Sequence, residues 1–232
     1  MIYKGYVMKK FFIAFLMMIG GSTAALAETI SYDKTDFAEI GSVIDDAAFD
    51  IRYYSPNNFT GNKIAGYKAP RAYMTKEALS ALAKAAEDLR AQGYRLLIWD
   101  SYRPQKAVDN FVKWINDPVD MGDKSFYPNL QKSDLLSGNY VAAKSGHTRG
   151  STVDLTIIKK DGSFVDMGGT FDLFSEVSHP DYQNLTDEQK NNRKILHDAM
   201  VKAGFNAIDS EWWHFTLKDE PYKDTYFNFD AE

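Results

Sequence analysis

The sequence predicts a single α+β domain, with a central, mainly antiparallel sheet flanked by helices, and three observations carry that expectation. Strand-like and helix-like stretches intermix without the regular βαβ alternation of a parallel sheet. The strand candidates are short apolar, β-branched or aromatic runs, whereas the helix candidates show apolar residues spaced by three and four. The 232 residues, 44% hydrophobic and 25% charged, suit one globular domain with a sizeable core.

The first residues read differently from the rest. Lys9-Lys10, a short apolar run over residues 11–19, Gly20-Gly21 and the closing Ala25-Leu26-Ala27 have the layout of a secretory signal peptide over residues 1–27. The apolar run is too short for a comfortable membrane span. The expected products are a cleaved leader, with translation starting at Met1 or Met8, and a mature domain over residues 28–232, exported to a periplasm or secreted.

Residues 49–54 alternate well enough for a strand, which Pro56-Asn57-Asn58 and Gly61 break into a loop. Thr75 opens a helix with Leu79, Leu82, Ala86 and Leu89 on one face and Gly93 just past its end. Residues 94–100 form an apolar strand that delivers Ser101-Tyr102-Arg103 to a corner, before Pro104 starts a second helix carrying Val108, Phe111, Val112 and Ile115. Residues 116–144, rich in Asp, Pro, Gly and Ser, are too long for a passive connection and read as a loop covering a site. Residues 153–158 are a buried, β-branched strand that Asp161-Gly162 turns back as a hairpin. Thr186-Asp187-Glu188-Gln189 matches a capping box opening a helix to Ala203, Gly204 ends it, and residues 212–217 return as a strand.

Charge and cysteine content exclude several functions. The formal net charge is −5, and losing residues 1–27 removes three lysines and no acids, taking it to −8. Such a protein is a poor partner for nucleic acid. The absence of cysteine excludes disulfides, thiolate ligands, a cysteine nucleophile and a lipid-bearing cysteine, so no stable membrane anchor is expected after cleavage.

Asp154 lies inside the buried strand, where a carboxylate is costly unless a cation or donors compensate it. His147 sits in the glycine-flanked turn just ahead, and His214 offers a third ligand from the Glu211-Trp212-Trp213-His214 segment. Two imidazoles and a carboxylate leave one tetrahedral position for water, the arrangement of a catalytic zinc. Glu211, three residues before His214, is placed to act as general base beside the metal. His179 and His197, in a polar loop and on a helix, are given no metal role.

The segments Trp99-Asp100-Ser101-Tyr102-Arg103-Pro104, Ser145 to Thr156 and Glu211-Trp212-Trp213-His214-Phe215 together resemble the zinc D-alanyl-D-alanine dipeptidases of the vancomycin-resistance type. The likeness runs from about residue 51 to residue 229 and includes Asn58-Phe59-Thr60-Gly61 and Asp219-Glu220-Pro221-Tyr222. It implies the same fold class, with one zinc ion (Zn2+) per chain at the sheet on His147, Asp154 and His214, and Glu211 as base. It further implies Arg103 as transition-state stabiliser, Ser145 and Asp172 at the dipeptide's amino end, and Tyr53 and Tyr67 lining the pocket. The substrate expected is a small dipeptide; the oligomeric state stays open. Two other functions share the motifs: a zinc D,D-carboxypeptidase on larger peptidoglycan stem peptides, separable only by pocket width, and a non-catalytic cell-wall peptide-binding module, against which Glu211 speaks. The leader departs from the cytoplasmic resistance enzymes and favours scavenging of dipeptide released from cell-wall material.

Overall fold

A computed structural model describes residues 28–138 and 140–232, so the expected leader lies outside the described residues. In chain order the strands are β1 Thr29–Ser31, β2 Phe37–Glu39, β3 Ala48–Phe49, β4 Tyr73–Thr75, β5 Tyr94–Asp100, β6 Thr152–Lys159, β7 Phe205–Ala207, β8 His214–Leu217 and β9 Thr225–Phe227. The helices are α1 Lys76–Ala91, α2 Gln105–Ile115, the short α3 Asp134–Ser137 and α4 Asp187–Lys202. Among the described residues no helix is long and apolar enough to cross a membrane.

The central sheet has five strands in the order β3-β5-β6-β8-β7, and every neighbouring pair is antiparallel except β3 with β5. Its middle strand β6 is buried from Thr152 through Ile158 and exposed only at Lys159. Burial on both faces is why this segment reads as a continuous apolar run rather than an alternation. Two smaller ribbons, parallel β1–β9 and antiparallel β2–β4, border the sheet.

Helix α1 buries Leu79, Leu82 and Leu89 with the alanines between them, packs on β5 and α4, and is capped by Thr75, whose hydroxyl accepts from the Ala78 amide. Helix α4 carries the complete capping box, Thr186 and Gln189 each bonding the other's backbone. Pro104 is the N-cap of α2, one residue ahead of the N1 position that proline's fixed φ favours.

Three expectations are corrected in detail. Of residues 49–54 only the first belongs to a strand; Arg52–Tyr54 form a 3-10 turn, because the chain bends there to bury Tyr53 beneath the site. The strand expected over residues 212–217 starts at His214, since Trp212 and Trp213 instead pack their rings against Trp99 and Phe171. The Asp161-Gly162 turn forms, but its return arm contributes a single bridge, Ile158 with Phe164. The 116–144 connection is ordered largely by Lys132, whose ammonium donates to the carbonyls of Trp114 (2.7 Å), Asp120 (2.5 Å) and Asp117.

Gly150 ends the turn Gly146–Arg149 that carries His147, with φ at 82°, and a Cβ there would lie 2.3 Å from the Phe37 ring. Gly150→Ala combines left-handed strain with overpacking, and should cost about 2–4 kcal/mol in chemical unfolding. Unchanged stability would show that the Phe37 ring yields freely.

Candidate active site

The sheet register assembles most of the site. Asp154 on β6 stands opposite His214 on β8 and opposite Asp100 on β5, so three polar side chains form one row across the sheet. A register shift between Ile98 and Asp100 interrupts the β5–β6 pairing next to this row, as bulges beside active sites do. His147 enters from the turn ahead of β6, and its carbonyl accepts from the Arg103 amide at 3.3 Å. This bond ties the strand-to-helix corner to the histidine turn.

His147 Nε2 is 3.1 Å from Asp154 Oδ2, His214 Nδ1 is 3.0 Å from Asp154 Oδ1, and the two ring nitrogens are 3.3 Å apart. The three ligand atoms lie within 4.8 Å of one another, a group that could hold a metal ion. The donor set itself tests the fit. His147 Nδ1 lies 2.7 Å from the Ser101 carbonyl, which only accepts, so that nitrogen carries the proton. Burial holds the His147 pKa below its ordinary value and favours the neutral ring, whose Nε2 then presents a lone pair to the Asp154 carboxylate. Two acceptors facing each other in a buried site call for a cation between them, and a divalent metal fits. The Ser101 carbonyl supplies the outer bond that metal-binding histidines ordinarily make.

Burial raises the Asp154 pKa, but its polar contacts, the bond from His214 among them, outweigh it and hold the carboxyl below its usual range. Burial likewise lowers His214, and the bond to Asp154 more than reverses this. Glu211 Oε2 stands 3.5 Å from His214 Nδ1, and burial pushes its carboxyl up to about 7. Arg103 bridges the row: its Nε donates to Asp100 Oδ2 at 2.8 Å and a terminal nitrogen reaches Asp154 Oδ2 at 3.5 Å. Its guanidinium also lies 4.9 Å from the centre of the Tyr53 ring.

His147, Asp154, His214, Glu211 and Arg103 surround a cavity of about 190 Å³ lined also by Tyr53, Ser145 and Asp172. The Tyr53 hydroxyl donates to Asp172 at 2.7 Å, and burial drives the Asp172 carboxyl well above the ordinary range. Asp172 holds φ at 57°, a left-handed conformation that costs a non-glycine residue about 1–3 kcal/mol and gathers at functional sites. Ser145 accepts from the His147 amide through its hydroxyl. Tyr67 stands one layer back, its hydroxyl donating to Asp100 at 2.6 Å rather than lining the cavity.

Sequence reasoning passed over Asp100, 1% exposed at the end of an apolar strand, although the argument that singles out Asp154 applies to it equally. It also passed over Tyr140, Val141, Ala142 and Lys144 as individual wall residues, having read their loop only as a cover. Ile208 and Ser210 also line the wall and carry no signal in their local sequence.

Residues 33–232 match the peptidase M15 family, described as D-Ala-D-Ala dipeptidases. Over 196 residues the chain is 42% identical to a D-alanyl-D-alanine dipeptidase of Streptomyces coelicolor, covering 84% of this chain and 97% of that protein. The protein of the same name from Enterococcus faecium is 40% identical over 195 residues, 83% of this chain and 96% of its own length. That from Escherichia coli is 32% identical over 185 residues, covering 80% and 86%. The protein is a peptidase. It belongs to the D-Ala-D-Ala dipeptidase family, M15.

A metal ion bound by the native site alone stabilises the fold by mass action. The midpoint of thermal unfolding should therefore rise when chelator-treated protein receives zinc, and His147→Ala should abolish the increment. An equal rise in the variant would place the responsible ion elsewhere.

Proposed function

We propose that the protein is an exported, zinc-dependent dipeptidase that hydrolyses D-alanyl-D-alanine, with residues 28–232 as the mature enzyme. The observation that carries this reading is one small cavity joining the His147, Asp154 and His214 group to Glu211, Arg103 and Asp172. Its volume of about 190 Å³ is well below that of a drug-sized pocket, which favours a dipeptide over a longer stem peptide. Family membership and relatives named D-alanyl-D-alanine dipeptidase support the same substrate.

When bound, zinc would supply Lewis acidity toward the scissile carbonyl and the attacking water. The chain's own residues do the rest. Asp172, neutral or costly when alone in its buried position, gains a counter-charge from the dipeptide's ammonium and fixes that end of the substrate. The Tyr53 hydroxyl, already bonded to Asp172, holds the carboxyl in place. Glu211 accepts a proton from water as its oxygen attacks the carbonyl carbon. Arg103 offers its fixed donors to the carbonyl oxygen as negative charge develops there. Glu211 then returns the proton to the departing nitrogen as the C–N bond breaks, releasing two molecules of D-alanine.

The leader over residues 1–27 supports action outside the cytoplasm, on dipeptide released from cell-wall material. N-terminal sequencing of exported protein should begin at Glu28; intact leader on cytoplasmic protein would contradict export.

Glu211→Gln should keep the metal and lose on the order of 10² to 10⁴ in turnover. In the parent, kcat/KM should fall as pH drops and Glu211 protonates, with this acid limb at or below about 7, because a bound cation lowers a carboxyl that burial raises. The Gln variant should lack that limb. Arg103→Ala should lose roughly 10² to 10³ in turnover at unchanged metal content, and Arg103→Lys should recover only part. Parent-like rates in either variant would remove that residue from the mechanism.

A further inference from the structure

A free dipeptide, the substrate proposed above, carries a carboxylate at one end as well as an ammonium at the other. Among the described residues the cavity wall carries three acids, Asp154, Asp172 and Glu211, against one arginine and one lysine, Arg103 and Lys144. Arg103 is committed: it bonds Asp100 and contacts Asp154, and the carbonyl oxygen is its target in the reaction. Resting on that reading, we propose that Lys144 is the specificity residue that receives the C-terminal carboxylate of the dipeptide.

The surroundings of Lys144 fit this role. It precedes Ser145 in the run that ends at His147, and Tyr140, Val141 and Ala142 beside it line the same cavity. Its ammonium already holds a carboxylate, Glu28 Oε2 at 2.8 Å, and lies 4.2 Å from the centre of the Tyr226 ring. The parallel pairing of β1 with β9 sets Ile30 opposite Tyr226, which brings Glu28 to this place. The Lys144 and Glu28 side chains are 44% and 53% exposed, so their pair is solvated and easily exchanged. A carboxylate delivered from within the cavity is better shielded from water, and the flexible four-carbon stem lets the ammonium leave Glu28 to meet it. Glu28 is then an internal competitor for the ammonium. With Asp172 to meet the ammonium and Lys144 to meet the carboxylate, the cavity suits a zwitterion and disfavours a peptide whose carboxylate is blocked.

The test compares D-alanyl-D-alanine with D-alanyl-D-alaninamide, which lacks only the charge at issue. Dissociation constants are measured by calorimetry on zinc-loaded protein carrying Glu211→Gln, so that turnover does not intervene. Adding Lys144→Met should weaken the dipeptide by roughly 10- to 100-fold, as loss of a charge-assisted bond does, while the amide changes less than about twofold. Lys144→Arg should retain most of the affinity, and Glu28→Gln should tighten the dipeptide without affecting the amide. Undiminished binding by Lys144→Met, or equal weakening of both compounds, overturns the assignment while leaving the dipeptidase reading intact. Failure of the Glu211→Gln protein with Lys144 intact to bind either compound overturns both.

Discussion

A carboxylate in the middle strand of a buried sheet is the constraint on which the rest of this structure depends. Asp154 is 2% exposed, and directly opposite it on the neighbouring strand is Asp100, 1% exposed. Two negative charges so placed destabilise the fold by several kcal/mol unless positive charge is built around them. His214 and Arg103 do this from an edge-side strand and a strand-to-helix corner, while the neutral His147 brings a ring nitrogen to the same point from a turn. Arg103 contacts both acids, so its guanidinium serves the fold before it serves any substrate. The buried charges that a stable core would avoid are gathered where His147, Asp154 and His214 could hold a metal ion.

Rigid support follows from the same arrangement. His147 is fixed through its ring by the Ser101 carbonyl and through its backbone by Arg103 and the turn that Gly150 closes. Tyr67 and Arg103 hold the two oxygens of Asp100, and an isolated bridge from Tyr67 to Ala231 carries this support out to the C-terminal segment. Ligands held on strands with bonded outer partners need little rearrangement when an ion or a charge arrives. Asp172, in contrast, sits in a strained left-handed conformation, and the Tyr53 hydroxyl together with the surrounding packing keeps it aimed at the cavity.

Much of this was legible in the chain itself. Asp154 is conspicuous because an acid interrupts a β-branched run, and the leucine spacing of α1 and the capping box of α4 mark those helices unambiguously. The fold class and the meeting of His147, Asp154 and His214 follow from such signals. Asp100 escaped because it ends its strand, where polar residues are ordinary, and only the register with Asp154 reveals its burial. Tyr53 looked like part of a strand because alternation over six residues is satisfied as well by a turn that buries one tyrosine. The wall formed by Ile208 and Ser210 depends on how distant loops meet, which no local pattern encodes.

In the proposed function the buried charges at Asp154 receive one zinc ion. Anomalous diffraction at the zinc edge, on crystals of the zinc-loaded protein, addresses it directly. A single strong peak is expected at about 2.0–2.2 Å from His147 Nε2, His214 Nδ1 and an Asp154 carboxylate oxygen, with Glu211 nearby but unligated. A peak that omits any of these three residues, or that lies away from the β6–β8 row, would contradict it.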